Sequence, residues 1–243
     1  YSIGLEFAVL PLAEVITPAS TAMFPALAGY KNNKQELFDK TYKYFGLVYG
    51  FVMPCVVGIW FVAPQFCDVI LGPKWADTAP VMAALSVMML PYPLTAITNN
   101  LFDYLDKTQY SLFSDSMGIA LLVGAFCFFT FSELSDFAWA RGVVALIAFL
   151  CILIFTRLTI GLSIKKMSSV LLLPSLAASA MWSCLEYGYH FTELSLLALV
   201  GNITIGAVAY SMALSILLRI FIKKKSLLKK MMGLQQIILR SEF

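Results

Sequence analysis

Seven long apolar stretches run through this chain, and its basic residues collect in every second loop between them. The stretches lie at about 3–23, 44–66, 79–98, 111–132, 137–160, 168–186 and 194–222. Each is long enough to cross a hydrocarbon core about 30 Å thick at about 1.5 Å rise per residue. Lys31, Lys34, Lys40 and Lys43 follow the first stretch, Lys107 the third, and Arg157, Lys165 and Lys166 the fifth. Arg219, Lys223, Lys224, Lys225, Lys229, Lys230 and Arg240 lie at and beyond the end of the seventh. The opposite loops hold only Lys74 and Arg141. Basic loops stay on the cytoplasmic side, which places Tyr1 outside and Phe243 in the cytoplasm. Seven crossings agree with opposite ends. The chain therefore reads as all-α, a polytopic membrane helix bundle of seven transmembrane helices over 1–222. A basic cytoplasmic tail over 223–243 follows. There Leu227, Met231, Leu234 and Ile238 share one helical face, which predicts an interfacial helix on the inner membrane surface.

Composition excludes most other classes. Hydrophobic residues make up 60 % and charged residues 13 %, against about 25 % charged in a soluble domain. The net charge of +3 is spread in a topological pattern, so membrane lipids with anionic headgroups are the expected partner, and nucleic acid is not. Cys55, Cys67, Cys127, Cys151 and Cys184 are scattered and form no CxxC; they read as small apolar residues. His190 is the only histidine, so neither a histidine metal cluster nor a Ser-His-Asp triad can be assembled. There is no P-loop and no dinucleotide fingerprint. No cofactor, no metal and no enzymatic activity are expected. The chain opens inside an apolar stretch, without Met, basic start or cleavage site, and an N-terminal part is expected to precede it.

The embedded polar residues carry what chemistry remains. Pro11, Pro18 and Pro25 recur every seven residues in the first stretch, returning to nearly the same helix face. Each removes a backbone hydrogen bond, so they form either a hinge or a static kink. Glu6 and Glu14 share that stretch, about 12 Å apart along the axis and about 80° around it. A carboxylate at membrane depth marks a cavity, a partner or a proton site. Glu6 at the outer interface and Glu14 paired with a polar group is the alternative. Arg141 either holds an anionic substrate group or snorkels to outer headgroups. Asn99 and Asn100 are ligands or interhelical glue.

Two stretches carry a family resemblance. One is Leu10-Pro11 with Pro18-Ala19-Ser20 and Phe24-Pro25-Ala26-Leu27-Ala28. The other, after the second apolar stretch, is Leu71-Gly72-Pro73-Lys74-Trp75-Ala76-Asp77-Thr78-Ala79-Pro80, an LG-x-x-W-x-x-x-A-P pattern. Together they resemble the Wzx-type polysaccharide and lipopolysaccharide flippases of the multidrug/oligosaccharidyl-lipid/polysaccharide exporter superfamily, over residues 1–110. The resemblance implies the second lobe of a two-lobed, fourteen-helix transporter, with these stretches as its eighth to fourteenth helices. It implies alternating-access flipping of an undecaprenyl-pyrophosphate-linked glycan across the bacterial inner membrane, for exopolysaccharide or O-antigen biosynthesis. A polysaccharide polymerase and export machinery are the implied partners. The family cavity is often cationic, whereas the embedded charges here are largely acidic. An ion-coupled multidrug exporter, with Glu14 as coupling site, is the alternative. A membrane-embedded glycan transferase or polymerase would carry paired catalytic residues in a large outer loop, which this sequence lacks.

Overall fold

The computed structural model describes residues 1–11, 14, 17, 18, 21, 30, 33–129, 134–188 and 195–241, with side chains through Phe221 and at Lys223. Every regular element among them is helical: α1 (Ser2–Pro11), α2 (Lys34–Phe66), α3 (Thr78–Ser86), α4 (Pro91–Tyr104), α5 (Thr108–Phe128), α6 (Leu134–Ile160), α7 (Ile164–Tyr187) and α8 (Leu196–Ser241). Six spans are long and apolar enough to cross a membrane: Lys34–Leu71, Thr78–Tyr104, Thr108–Phe128, Leu134–Ile160, Ile164–Tyr187 and Leu196–Phe221. They match the second to seventh expected stretches. The first stretch is helical over α1 and again at Thr17, Pro18 and Thr21. Pro25 and His190 lie outside the described residues.

Local chemistry explains where the helices start and break. Helix α2 begins ten residues ahead of the apolar stretch expected at 44. The Asn33 side chain accepts from the Glu36 backbone N–H at 3.3 Å, and its amide donates to the Glu36 carboxylate at 3.4 Å. The first bond is an N-cap, the second ties the Glu36 carboxylate to the capping side chain, and together they open helical turns within the basic loop. Helix α2 runs into a π-type turn at Cys67–Leu71. Gly72 then turns the chain with φ of 90°, a region where a Cβ is strained.

The third stretch is broken, not continuous. Pro91 and Pro93 lack the N–H groups that would bond back into the preceding turn. A 3₁₀ turn at Val87–Met89 therefore separates α3 from α4. Tyr49 from α2 donates its hydroxyl to the Leu90 carbonyl at 2.6 Å. That bond supplies a partner for backbone at the break, as an apolar medium requires.

Helix α2 is the centre of the bundle, packed against α3, α4, α7 and α8. The α7–α8 pair is tied to it at three levels. The Ser163 N–H donates to Tyr42 Oη at 2.7 Å, Tyr210 Oη to the Gly50 carbonyl at 2.7 Å, and Asn202 Nδ2 to Gln65 Oε1 at 2.7 Å. Small residues allow the close approaches. Ala177 and Ala178 are buried on α7, and Gly142 of α6 lies against the Ala84 carbonyl of α3. On the other flank, α6 packs on α3, α4 and α5. The outer surface is strongly apolar: Leu112 is 70 % exposed, Leu158 77 % and Phe128 86 %. Such a surface is a liability in water and ordinary against lipid. The fold is that of a polytopic membrane helix bundle.

The tail expected as a separate interfacial helix is continuous with α8 through Ser241. Its only weak helix former is Gly233, which the helix absorbs.

Candidate functional site

Between α4, α5 and α6 lies an open cavity of about 530 Å³ whose polar lining comes from Tyr92, Thr95, Asn99, Ser114, Asp115 and Arg141. Helix α4 supplies Thr95 and Asn99, four residues apart on one face. Asn99 Nδ2 donates to Asp115 Oδ1 across to α5 at 3.0 Å. Asn99 Oδ1, Ser114 Oγ and Arg141 Nε are buried, and none has a hydrogen-bond partner among the described residues. Arg141 Nη1 donates to Tyr1 Oη, and the guanidinium carbon stands 5.9 Å from the Tyr1 ring centroid.

Depth separates these groups. Asp115 sits seven residues into α5, and Arg141 seven residues into α6. The two helices are joined by the short segment 129–133, so they run in opposite directions. The carboxylate and the guanidinium therefore lie about 10 Å from opposite membrane-facing ends. One wall thus carries an acceptor-rich group at one depth and a donor-rich group at another. The rest of the lining is apolar, with Met88, Ile119, Leu122, Val144 and Ile152 among it, so the polar groups are isolated points on an otherwise greasy wall.

The structure joins two of the sequence candidates and separates the rest. Asn99 and Arg141 line the same cavity, while Asn100 is half-buried and engaged elsewhere. Glu6 and Glu14 are both exposed and do not line it. Pro11 lines a second, almost wholly apolar cavity of about 440 Å³ between α1, α2, α7 and α8, together with Pro54, Phe66 and Met181. The Pro18 carbonyl accepts from Thr21 Oγ1 at 2.8 Å. Thr95, Ser114 and Asp115 line the cavity and were not among the sequence candidates. The polar run Ser111, Ser114, Asp115 and Ser116 was the available signal, but a serine in an apolar helix normally bonds its own backbone. The half-buried Gln65–Asn202 pair was missed for a related reason: neither residue shows in sequence which helix it faces.

Among the described residues no three His, Cys, Asp or Glu side chains come together as a metal-binding group.

Comparison with known proteins matches parts of this helical membrane protein. Residues 1–80 match the pattern of a family described as polysaccharide biosynthesis protein. A segment of 90 residues is 27 % identical to the lipopolysaccharide biosynthesis protein WzxC of Escherichia coli (strain K12), covering 37 % of this chain and 18 % of that relative. The matched region contains the FPALA and LG-x-x-W-x-x-x-A-P stretches, so the resemblance to Wzx-type polysaccharide flippases holds on the residues that suggested it. The match spans less than a fifth of WzxC. No solved structure matches.

Proposed function

We propose that this chain forms part of a translocase that flips a lipid-linked oligosaccharide across the bacterial inner membrane for surface polysaccharide synthesis. The observation that carries the reading is the family match over residues 1–80, on a bundle whose spans enclose a cavity with a few polar side chains in a mostly apolar lining. A glycan and its pyrophosphate need a wet path while the prenyl tail stays in lipid. Helices broken by proline and lining a cavity supply such a path. In this reading the chain is a second lobe that rocks against a first by alternating access, and undecaprenyl pyrophosphate carries the glycan. Polysaccharide polymerase and export proteins act downstream. The drug-exporter reading draws on the same superfamily but has no observation of its own here.

Loss of the gene in its host is expected to remove surface polysaccharide and leave lipid-linked repeat units on the cytoplasmic leaflet. Staining of surface glycan and analysis of extracted lipid-linked sugars measure both. Normal surface glycan with new sensitivity to cationic dyes would overturn the flippase and favour the exporter.

Orientation is part of the proposal: Tyr1 faces outward and Phe243 the cytoplasm. With the five native cysteines replaced by alanine, Tyr187→Cys should react with an impermeant maleimide in intact cells, and Asn33→Cys only after lysis. Both positions are exposed. Labelling of Asn33→Cys in intact cells would reverse the topology.

A further inference from the structure

We propose that the bundle bends at one level, through Pro54, Pro91 and Pro174, and that Tyr210 of α8 is the latch that holds the bend. A proline leaves the carbonyl four residues before it without its helical partner. Pro54 lies inside α2 and frees the Gly50 carbonyl, which accepts from Tyr210 Oη at 2.7 Å. An orphaned carbonyl at this depth has no water to turn to, and here a second helix brings a buried hydroxyl to it. The neighbouring spans break at the same height. Ser86 Oγ lies 3.5 Å from the Val56 carbonyl, and Tyr49 Oη donates to the Leu90 carbonyl. The 3₁₀ turn at Val87–Met89 and Pro91 therefore stand beside the 49–56 stretch of α2. On α7, Val170 Cγ1 lies 3.0 Å from where a Gly46 Cβ would be, and Met181 Cε 3.6 Å from a Gly58 Cβ. Those two contacts put α2 and α7 in parallel register, with Pro174 level with Gly50. Three of the six described spans thus carry a proline at one height.

Packing separates a hinge from a fixed kink. Leu37, Phe45, Tyr49 and Val52 of α2 belong to one buried cluster, and Ala63 belongs with Cys67 to another. None of the residues from Met53 to Phe61 between them is buried. A Cβ at Gly50 would meet nothing within 4 Å. The apolar cavity of about 440 Å³ opens beside Pro54 and Gly58. Missing backbone bonds, a gap in the core and free space coincide, so the two halves of α2 can change their angle without either core coming apart. A kink wedged in place by packing would lack that room. The Tyr210 bond joins α8 to the hinge itself, and its loss frees the cytoplasmic half of α2 to move against α8. The hinge rests on the geometry of the bundle and not on the glycan, so it stands or falls separately from the flippase reading.

The test is double electron–electron resonance in lipid nanodiscs, with the five native cysteines replaced by alanine and spin labels at Lys43→Cys on α2 and Arg219→Cys on α8. Both positions are exposed, on the cytoplasmic side of Pro54 and Tyr210. The parent should give one dominant distance. Tyr210→Phe keeps the buried ring and removes only the hydroxyl, so the fold is retained, and it should raise the population of a second distance about fivefold. Adding Pro54→Ala returns a helical N–H to the Gly50 carbonyl and should restore the parent distribution. An unchanged distribution in Tyr210→Phe overturns the latch. A second population that persists with Pro54→Ala overturns it as well, because the tyrosine would then be acting through packing alone.

Discussion

A Gly142→Leu substitution is expected to destabilise the bundle by about 3 kcal/mol, through overpacking at the α3–α6 crossing. A Cβ at this buried position already lies 3.1 Å from the Ala84 carbonyl oxygen and 3.7 Å from Val87 Cβ. The obstacle is backbone, which cannot rotate away as a side chain can. Helix α6 would have to retreat from α3, and the lost van der Waals contact is the main force holding helices together in lipid. Gly142→Ala should be much milder, because a shift of a few tenths of an ångström accommodates one methyl. Gly118→Leu is the control, since a Cβ there meets nothing within 4 Å. Reversible unfolding in mixed micelles measures all three. Equal stability of Gly142→Leu and Gly118→Leu would show that the crossing is not close-packed.

Replacing Tyr49 by alanine is expected to have a comparable effect, about 3 to 5 kcal/mol, and replacing it by phenylalanine only about 1 kcal/mol. Tyr49 is fully buried in the centre of the bundle. Its ring stacks with Phe45 at 6.2 Å and meets Phe149 edge-on at 6.2 Å. Alanine therefore leaves a cavity that lipid tails cannot reach. Phenylalanine keeps the ring but removes the hydroxyl that donates to the Leu90 carbonyl at 2.6 Å, where Pro91 follows. The gap between the two variants separates packing from satisfaction of the broken helix. If phenylalanine costs as much as alanine, the hydrogen bond dominates and the packing account is wrong.

These two sites show what could and could not be read along the chain. The apolar stretches were legible because a bilayer forces each crossing to satisfy its own backbone, and only a helix does this locally. Twenty consecutive apolar residues therefore report a helix whatever lies beside it. Helix ends were less legible. The helix over Lys34–Lys43 was hidden by its polar composition, although Asn33 and Glu36 spell a helix N-terminus at the right spacing. The division of the third stretch into α3 and α4 was signalled by Pro91 and Pro93.

The candidate site was half legible. Asn99 and Arg141 were singled out as polar groups at membrane depth, but on residue type alone. Their meeting in one cavity with Ser114 and Asp115 depends on how α4, α5 and α6 are arranged. Nothing in the three segments announces it. In a soluble helix, a polar face and an apolar face tell inside from outside. Here lipid and protein interior are equally apolar, so α5 and α6 look the same all round and the period of 3.6 residues disappears from the sequence. The family pattern over residues 1–80 could be read from side chains in order. The choice of Asn99 over Asn100, and of Ser114 over the other hydroxyls, could not. It was made by small residues such as Gly142 and by pinned groups such as Tyr49, which set the faces that meet.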